Sequence, residues 1–268
     1  MAIKFVDRVP TRPGRIKITP EDGSNPWYGV MERADEPSVE GTPINATNLN
    51  AMQQNQGMSG NMTVYVATSG SDALGDGTRT APYATITKAI SIVPKNLNGN
   101  NATINIAAGS YNENVVIEYF VGGRIIITGV ENDLVHINEL YVTGCDVLVS
   151  NVSISAVALH CTRLAFCNIA TSLTIRSGAT RAINISNFSS AVINSATIDG
   201  STERAVNVSS HGMAYFNIIQ GTNNSGVGLV VSGGIIMYYL SSLEATIATN
   251  TGAGGRIYSG AQTNIPNY

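Results

Sequence analysis

A tripeptide that returns about every two dozen residues constrains this chain more than any other feature. In each copy the first and third residues are apolar, and a small polar residue follows the third. Successive copies lie 24, 24, 23 and 23 residues apart: Val135-His136-Ile137, Leu159-His160-Cys161, Ile183-Asn184-Ile185, Val206-Asn207-Val208 and Leu229-Val230-Val231. The alternation is typical of a strand with one buried face, and a fixed period of roughly 20–50 residues is typical of stacked repeats. The sequence therefore predicts a parallel β-solenoid.

A second set of apolar residues shares this period. Ile169, Ile193, Phe216 and Tyr239 follow one another at 24, 23 and 23 residues. Two independent sets with one period predict two columns of buried side chains, in a stack of roughly six to eight coils. We expect Tyr239 to lie in the buried column.

One amphipathic helix precedes the repeats. Its apolar residues recur with helical spacing: Ile86, Ala89, Ile90, Val93 and Leu97. Pro82 suits its first turn and Gly99 a position beyond its end. Because the open end of a solenoid exposes its core and unpaired strand edges, we expect this helix to cap that end. The predicted fold class is all-β, a parallel β-helix with one N-terminal cap helix.

The charged residues divide the chain into two regions. Residues 1–60 contain 13 charged side chains, whereas residues 61–268 contain 20. The boundary falls in the polar stretch at 53–61. We predict that residues 1–60 form a small adaptor region with a polar linker, ordered by docking on a partner, and that residues 61–268 form the β-helix body. A freely flexible arm is the alternative for residues 1–60.

The composition disfavours several classes of function. A net charge of −3 gives no electrostatic reason to expect nucleic acid. The three cysteines suggest neither a disulfide framework nor a zinc site. No apolar run has the length of a signal peptide or of a transmembrane helix, and no cofactor-binding motif is found. We expect no cofactor, no metal site and no membrane insertion.

The body resembles the pectate-lyase-like right-handed β-helix domains. The resemblance rests on YVATSGSD at 65–72, GDGT at 75–78, PYATI at 82–86 and KAI at 88–90, followed by the repeats. It covers about 200 residues and implies a right-handed parallel β-helix, the same fold that the period predicts.

The first 45 residues resemble the N-terminal region of tail proteins of phages and phage-like particles that infect Gram-positive bacteria. The matching stretches are FVDRVP at 5–10, PGR at 13–15, ERADEP at 32–37 and GTPIN at 41–45. Together the two resemblances imply a tail fibre or tailspike-type protein of the virion tail, commonly a homotrimer. Such a protein would be made in the host cytoplasm, in agreement with the missing signal peptide.

Candidate catalytic residues are few. Polysaccharide-cleaving β-helices act through carboxylates, in pairs for hydrolysis, yet no tightly spaced acidic cluster is present after residue 130. We predict no catalytic residues; if the chain is an enzyme, the candidates are Glu131 with Asp133 in one turn and Asp199 with Glu203 in another. Neighbouring coils could still bring carboxylates together, because stacked strands lie about 5 Å apart.

Two histidines and two tyrosines are candidates for glycan binding or for a subunit contact. The repeat places His136 and His160 one coil apart on the outer side, where a metal ion is the less favoured alternative. Tyr238 and Tyr258, near the C-terminal end, carry aromatic faces that suit sugar rings. Core packing is the alternative for the tyrosines.

These observations favour a structural, adhesive protein. We expect a tail fibre or baseplate-associated appendage whose residues 1–60 attach to other tail proteins and whose rod contacts a host glycan or protein. A polysaccharide depolymerase is the alternative, and convergent acidic side chains in a groove would favour it. A collar or baseplate component without a ligand is the third hypothesis. The fold does not decide among them.

Overall fold

The computed structural model describes residues 15–18, 27–30, 57–176 and 179–259, apart from the side chains at 15–18, 27–30, 130–133, 240 and 244–250. The chain divides into two compact units, Met1–Gln56 and Gly57–Tyr268. In the first unit, β1 (Arg15–Ile18) pairs with β2 (Trp27–Val30) in an antiparallel hairpin. None of the helices in the described residues is long and apolar enough to cross a membrane.

The second unit is a parallel β-helix of about six turns, and its helix content is minimal. Its strands are β3 (Met62–Val66), β4 (Asn101–Ile106), β5 (Gly109–Ser110), β6 (Asn114–Glu118), β7 (Arg124–His136), β8 (Glu139–Thr143), β9 (Asp146–Ala156), β10 (Ala158–Thr162), β11 (Phe166–Ile175), β12 (Arg181–Ile185), β13 (Ser190–Ile198), β14 (Arg204–Ser209), β15 (Met213–Ser232), β16 (Ile235–Gly252) and β17 (Arg256–Ser259). The predicted fold class is confirmed.

Each coil contributes strand segments to three faces. Face 1 contains β3, β4, the first parts of β7, β9, β11, β13, β15 and β16, and β17. Face 2 contains β5 and the segments that follow a bend within the long strands. Face 3 contains β6, β8, β10, β12, β14 and the last parts of β15 and β16. All these pairings are parallel.

Columns of apolar side chains fill the interior. Because side chains alternate along a strand, every second residue points inward and lies above its partner in the previous coil. On face 1 one such column is Val64, Ile104, Ile127, Val149, Ile169, Ile193, Phe216 and Tyr238. The predicted column through Ile169, Ile193 and Phe216 is therefore confirmed.

The prediction that Tyr239 is the last member of that column is wrong. Tyr238 pairs with Phe216 and packs against the core, whereas Tyr239 is 59% exposed. Two residues separate β15 from β16, but three separate β14 from β15. The shorter turn moves the register by one residue, and such a slip exchanges the buried and exposed sides of a strand.

The predicted cap helix is present but shorter than expected. Helix α1 (Ile86–Ser91) packs against β3, β4 and β6, the first strands of faces 1 and 3. It ends well before Leu97 because Pro94 has no N–H and disfavours a helical conformation at Val93. Val93 and Leu97 are still buried, so their helical spacing does not reflect a continuous helix.

Three side chains, those of Asp72, Thr85 and Glu113, accept hydrogen bonds from the backbone at the start of α1. The Thr85 side chain caps the helix by accepting a hydrogen bond from the Lys88 amide at 3.1 Å. The Glu113 carboxylate accepts the amides of Ile86 and Thr87, each at 2.8 Å. The Asp72 carboxylate accepts the amide of Thr85 at 3.0 Å. The helix is thereby attached to the first coils of the β-helix.

Candidate functional site

A column of mostly polar side chains runs along the outer side of face 3. The strands place these residues opposite the core by the same alternation that buries their neighbours. The column consists of Val116, Tyr141, His160, Asn184, Asn207 and Val230. We call it the face 3 column. Its central residues carry aromatic rings and amides at one step per coil.

Two aromatic rings stack inside this column. Tyr141 and His160 lie with ring centroids 4.5 Å apart and an interplanar angle of 10°. The Tyr141 hydroxyl donates a hydrogen bond to the Glu139 carboxylate, and this bond, together with burial, raises the pKa of Tyr141 to about 12. Burial lowers the pKa of His160 below its usual value of 6.5. At neutral pH both rings are therefore uncharged.

Hydrogen bonds continue the column into the next two coils. The Asn207 side-chain amide donates to Asn184 Oδ1 at 2.7 Å. Arg204 Nη1 donates to Asn207 Oδ1 at 2.6 Å. Asn207 itself is buried, whereas Asn184 and His160 are partly accessible. The column thus presents a phenol, an imidazole and an amide to solvent, held in place by their neighbours.

The two candidate histidines do not share a column, so the prediction that they lie one coil apart on one side is wrong. His136 belongs to face 2, where it pairs with Ser155. Arg176 Nη1 lies 3.3 Å from His136 Nδ1. The residue that precedes His160 on face 3 is Tyr141, only 19 residues earlier. No group of three or more His, Cys, Asp or Glu side chains in the described part of the chain could hold a metal ion.

The two candidate tyrosines are also separated. Tyr238 packs against the core through its place above Phe216, so it offers little surface to a ligand. Tyr258 lies on the outer side of face 1, paired with Met237. Arg256 Nη1 donates to its hydroxyl at 3.3 Å.

Of the four candidate acids, the structure describes the side chains of Asp199 and Glu203. The side chains of Glu131 and Asp133 lie outside the described residues. Asp199 Oδ1 accepts the amide of Thr222 at 2.9 Å, which links successive coils. Glu203 is exposed and lies immediately before β14. Asp199 therefore has a structural contact that explains its position without catalysis.

Tyr141 was not among the site residues predicted from the sequence. The tripeptide Leu140-Tyr141-Val142 has the same apolar–polar–apolar pattern as the other copies, and its neighbour Glu139 is one of the few acids after residue 130. The alternation of apolar and polar residues around Tyr141 therefore already indicated an outward position for this side chain. The tripeptide did not fit the period, because the coil between Tyr141 and His160 is short.

Comparison with known proteins agrees with this architecture. Residues 68–120 match the model of a protein family described as a protein of unknown function, DUF1565. The matched segment includes the GDGT turn, α1 and strands β4 to β6. The chain is a parallel β-helix protein. No curated protein and no solved structure matches the chain.

Proposed function

We propose that this protein is an attachment rod of the tail fibre or tailspike type, in which the face 3 column binds a saccharide on a host surface. Residues 1–60 attach the rod to other tail or baseplate proteins, and the protein acts in the virion tail as a homotrimer. The observation that carries the proposal is the run of uncharged hydrogen-bonding and aromatic side chains from Tyr141 through Asn184 along one face.

The chemistry of the column suits a linear saccharide. Amide and imidazole groups donate and accept hydrogen bonds without a charge that must be compensated. Aromatic rings offer apolar surface to the C–H faces of sugars. Because each coil repeats the spacing of the strands, about 4.8 Å, a polymer lying along the rod meets a new side chain at every coil.

The proposal is tested with the full chain on an array of purified polysaccharides from Gram-positive cell surfaces. His160→Ala and Asn184→Ala remove one hydrogen-bonding group each, and we expect each to weaken binding by about fivefold, the equivalent of about 1 kcal/mol. The matched controls are Thr174→Ala and Thr197→Ala, because these residues lie at outward positions of face 2 in the same two coils. We expect the controls to bind as the wild type does.

Three outcomes decide among the hypotheses. Binding that the face 3 variants lose and the face 2 controls retain supports the proposal. A failure to bind any polysaccharide contradicts it and favours a structural component without a ligand. New reducing ends or unsaturated products in the same incubations would show a depolymerase and would also contradict a purely adhesive function.

A further inference from the structure

The turn that leads from face 3 into face 1 carries a large exposed side chain in three successive coils. These side chains belong to Leu164, Phe188 and His211. Leu164 is 75% exposed and Phe188 63% exposed. The amide of Leu164 donates to the Asn187 carbonyl and that of Phe188 to the Ser210 carbonyl, each at 3.0 Å, so the turns are stacked on one another. We call Leu164, Phe188 and His211 the turn ridge.

The backbone of the turn ridge is strained. Leu164, Phe188 and His211 have φ angles of 61°, 60° and 63°, in the left-handed region that bulky residues rarely adopt. Their exposed side chains bury little apolar surface that would offset this cost. In the next coil the same turn contains Gly233, at a φ of 68°. Glycine would serve the fold at lower cost, so the strained, bulky residues point to a function.

Two rings of the turn ridge are stacked. Phe188 and His211 lie with ring centroids 4.8 Å apart and an interplanar angle of 2°. Because Phe188 covers one face of the imidazole, the opposite face points along the rod toward the next coil. Of the described atoms outside its neighbours in the chain, only the Ala253 carbonyl oxygen, at 3.6 Å, lies within 4 Å of the position that a Cβ on Gly233 would take. We call the space between His211 and Gly233 the open corner.

Another glycine of the same turn shows what such a corner accommodates. A Cβ on Gly144 would lie 3.0 Å from Cδ1 and 3.3 Å from Cε1 of Tyr119, so the Tyr119 ring lies over this glycine. The Tyr119 hydroxyl accepts a hydrogen bond from Arg163 Nη1 at 2.6 Å. A six-membered ring that carries a hydroxyl group therefore fits a glycine corner at this edge of the rod. At Gly233 the described residues supply no such ring.

We propose that the open corner, with the stacked rings of His211 and Phe188, is a second saccharide subsite in which one pyranose ring stacks on the outer face of His211. Aromatic rings suit the C–H faces of sugars. The subsite is continuous with the face 3 column, because Asn184, Ser186 and Phe188 are alternate residues of one coil and none is charged. One saccharide can thus contact both surfaces. The inference rests on the proposed function for the class of ligand.

The test uses the full chain with the same polysaccharides and their oligosaccharide fragments. His211→Gly removes the stacking surface, and Gly233→Asn places a side chain in the open corner, where asparagine tolerates the positive φ. We expect each variant to weaken binding about tenfold, equivalent to about 1.4 kcal/mol. The matched control is Leu164→Gly, which makes the same kind of change in the same turn but two coils from His211. It should bind as the wild type does.

Thermal melting separates a binding function from a folding function. Glycine relieves the strain at His211, so we expect His211→Gly to keep a Tm within about 2 °C of the wild type. A His211→Gly variant that melts at a much lower temperature and binds as the wild type does would show that the turn ridge serves folding, and would overturn the inference.

The binding results distinguish this inference from the proposed function. If His160→Ala weakens binding but His211→Gly and Gly233→Asn do not, the inference is overturned and the proposed function stands. If the turn ridge variants weaken binding and His160→Ala does not, the subsite is supported and the face 3 column is contradicted. A wild-type chain that binds none of the saccharides contradicts both.

Discussion

Replacing Asn224 with alanine should destabilise the β-helix far more than the same change at Asn217. Both asparagines belong to β15, but only Asn224 lies inside the coil, where it is 5% exposed. Asn224 Oδ1 accepts hydrogen bonds from the Ser201 amide at 2.9 Å and from the Ser201 hydroxyl at 2.7 Å. Its side-chain amide donates to the Ile198 carbonyl at 3.0 Å. These contacts join two successive coils.

The expected loss of stability in Asn224→Ala follows from the number of hydrogen bonds that the substitution removes. Each of the three bonds contributes about 1 kcal/mol net, so we expect the free energy of unfolding to fall by about 3 kcal/mol. For a domain of this size such a loss lowers Tm by about 6–12 °C. Asn217 makes one bond, to Asn194 Oδ1 at 3.2 Å, nearer the surface. We therefore expect Asn217→Ala to cost about 1 kcal/mol or less, because water replaces an accessible partner.

The assay is urea denaturation followed by circular dichroism, with thermal melting as a second readout. Asn224→Asp adds a check on the mechanism, because a carboxylate still accepts from Ser201 but has no proton to donate to Ile198. Its stability should be lowest near neutral pH and should rise on acidification, when the carboxyl group binds a proton in the folded state. Equal losses for Asn224→Ala and Asn217→Ala would refute the reasoning.

Three further predictions concern protonation and packing. Burial lowers the pKa of His160 from 6.5, so the unfolded chain binds the proton more tightly than the folded chain does. The free energy of unfolding should therefore be constant with respect to this group above pH 6.5 and should fall below it. In melts at a series of pH values, His160→Gln should reduce this dependence on pH. Gly221→Ala would put a Cβ 1.7 Å from the Ile198 carbonyl oxygen and should prevent recovery of folded protein. The control Gly252→Ala, whose Cβ would have no atom within 4 Å, should be tolerated. Equal yields of folded protein from the two variants would contradict this explanation. Burial raises the pKa of the Cys161 thiol to about 12, so the native protein should not react with a thiol reagent at pH 8 until it is unfolded, and rapid native labelling would show that the coil opens.

The architecture was predictable because apolar and polar residues alternate along each strand segment. Apolar residues occupy every second position, and this pattern recurs about once per coil. A parallel β-helix buries all of these residues. The helical spacing of Ile86, Ala89 and Ile90 correctly placed a helix before the stack, but Pro82, expected in its first turn, lies three residues before the N-cap Thr85. The helix was expected to continue through Leu97, but Pro94 ends it early, since spacing alone does not distinguish helical residues from buried residues of an irregular turn.

The candidate site was predicted only in part. His160 lies in the face 3 column, but its neighbour is Tyr141 and not His136. The reason is the length of the connections between faces 2 and 3. One residue, Val157, joins β9 to β10, whereas five residues, 176–180, join β11 to β12. A constant period cannot follow coils of such different lengths.

The sequence by itself determined that each strand buries every second residue, because this alternation depends on neighbours close in the chain, and the period of the repeats predicted that the strands stack in parallel. Only the tertiary structure decided which residues lie above one another. That register depends on the lengths of the turns, and a single residue fewer before β16 exchanged Tyr238 and Tyr239 between core and surface. For the same reason the face 3 column, assembled from several coils, is visible only after the coils are stacked.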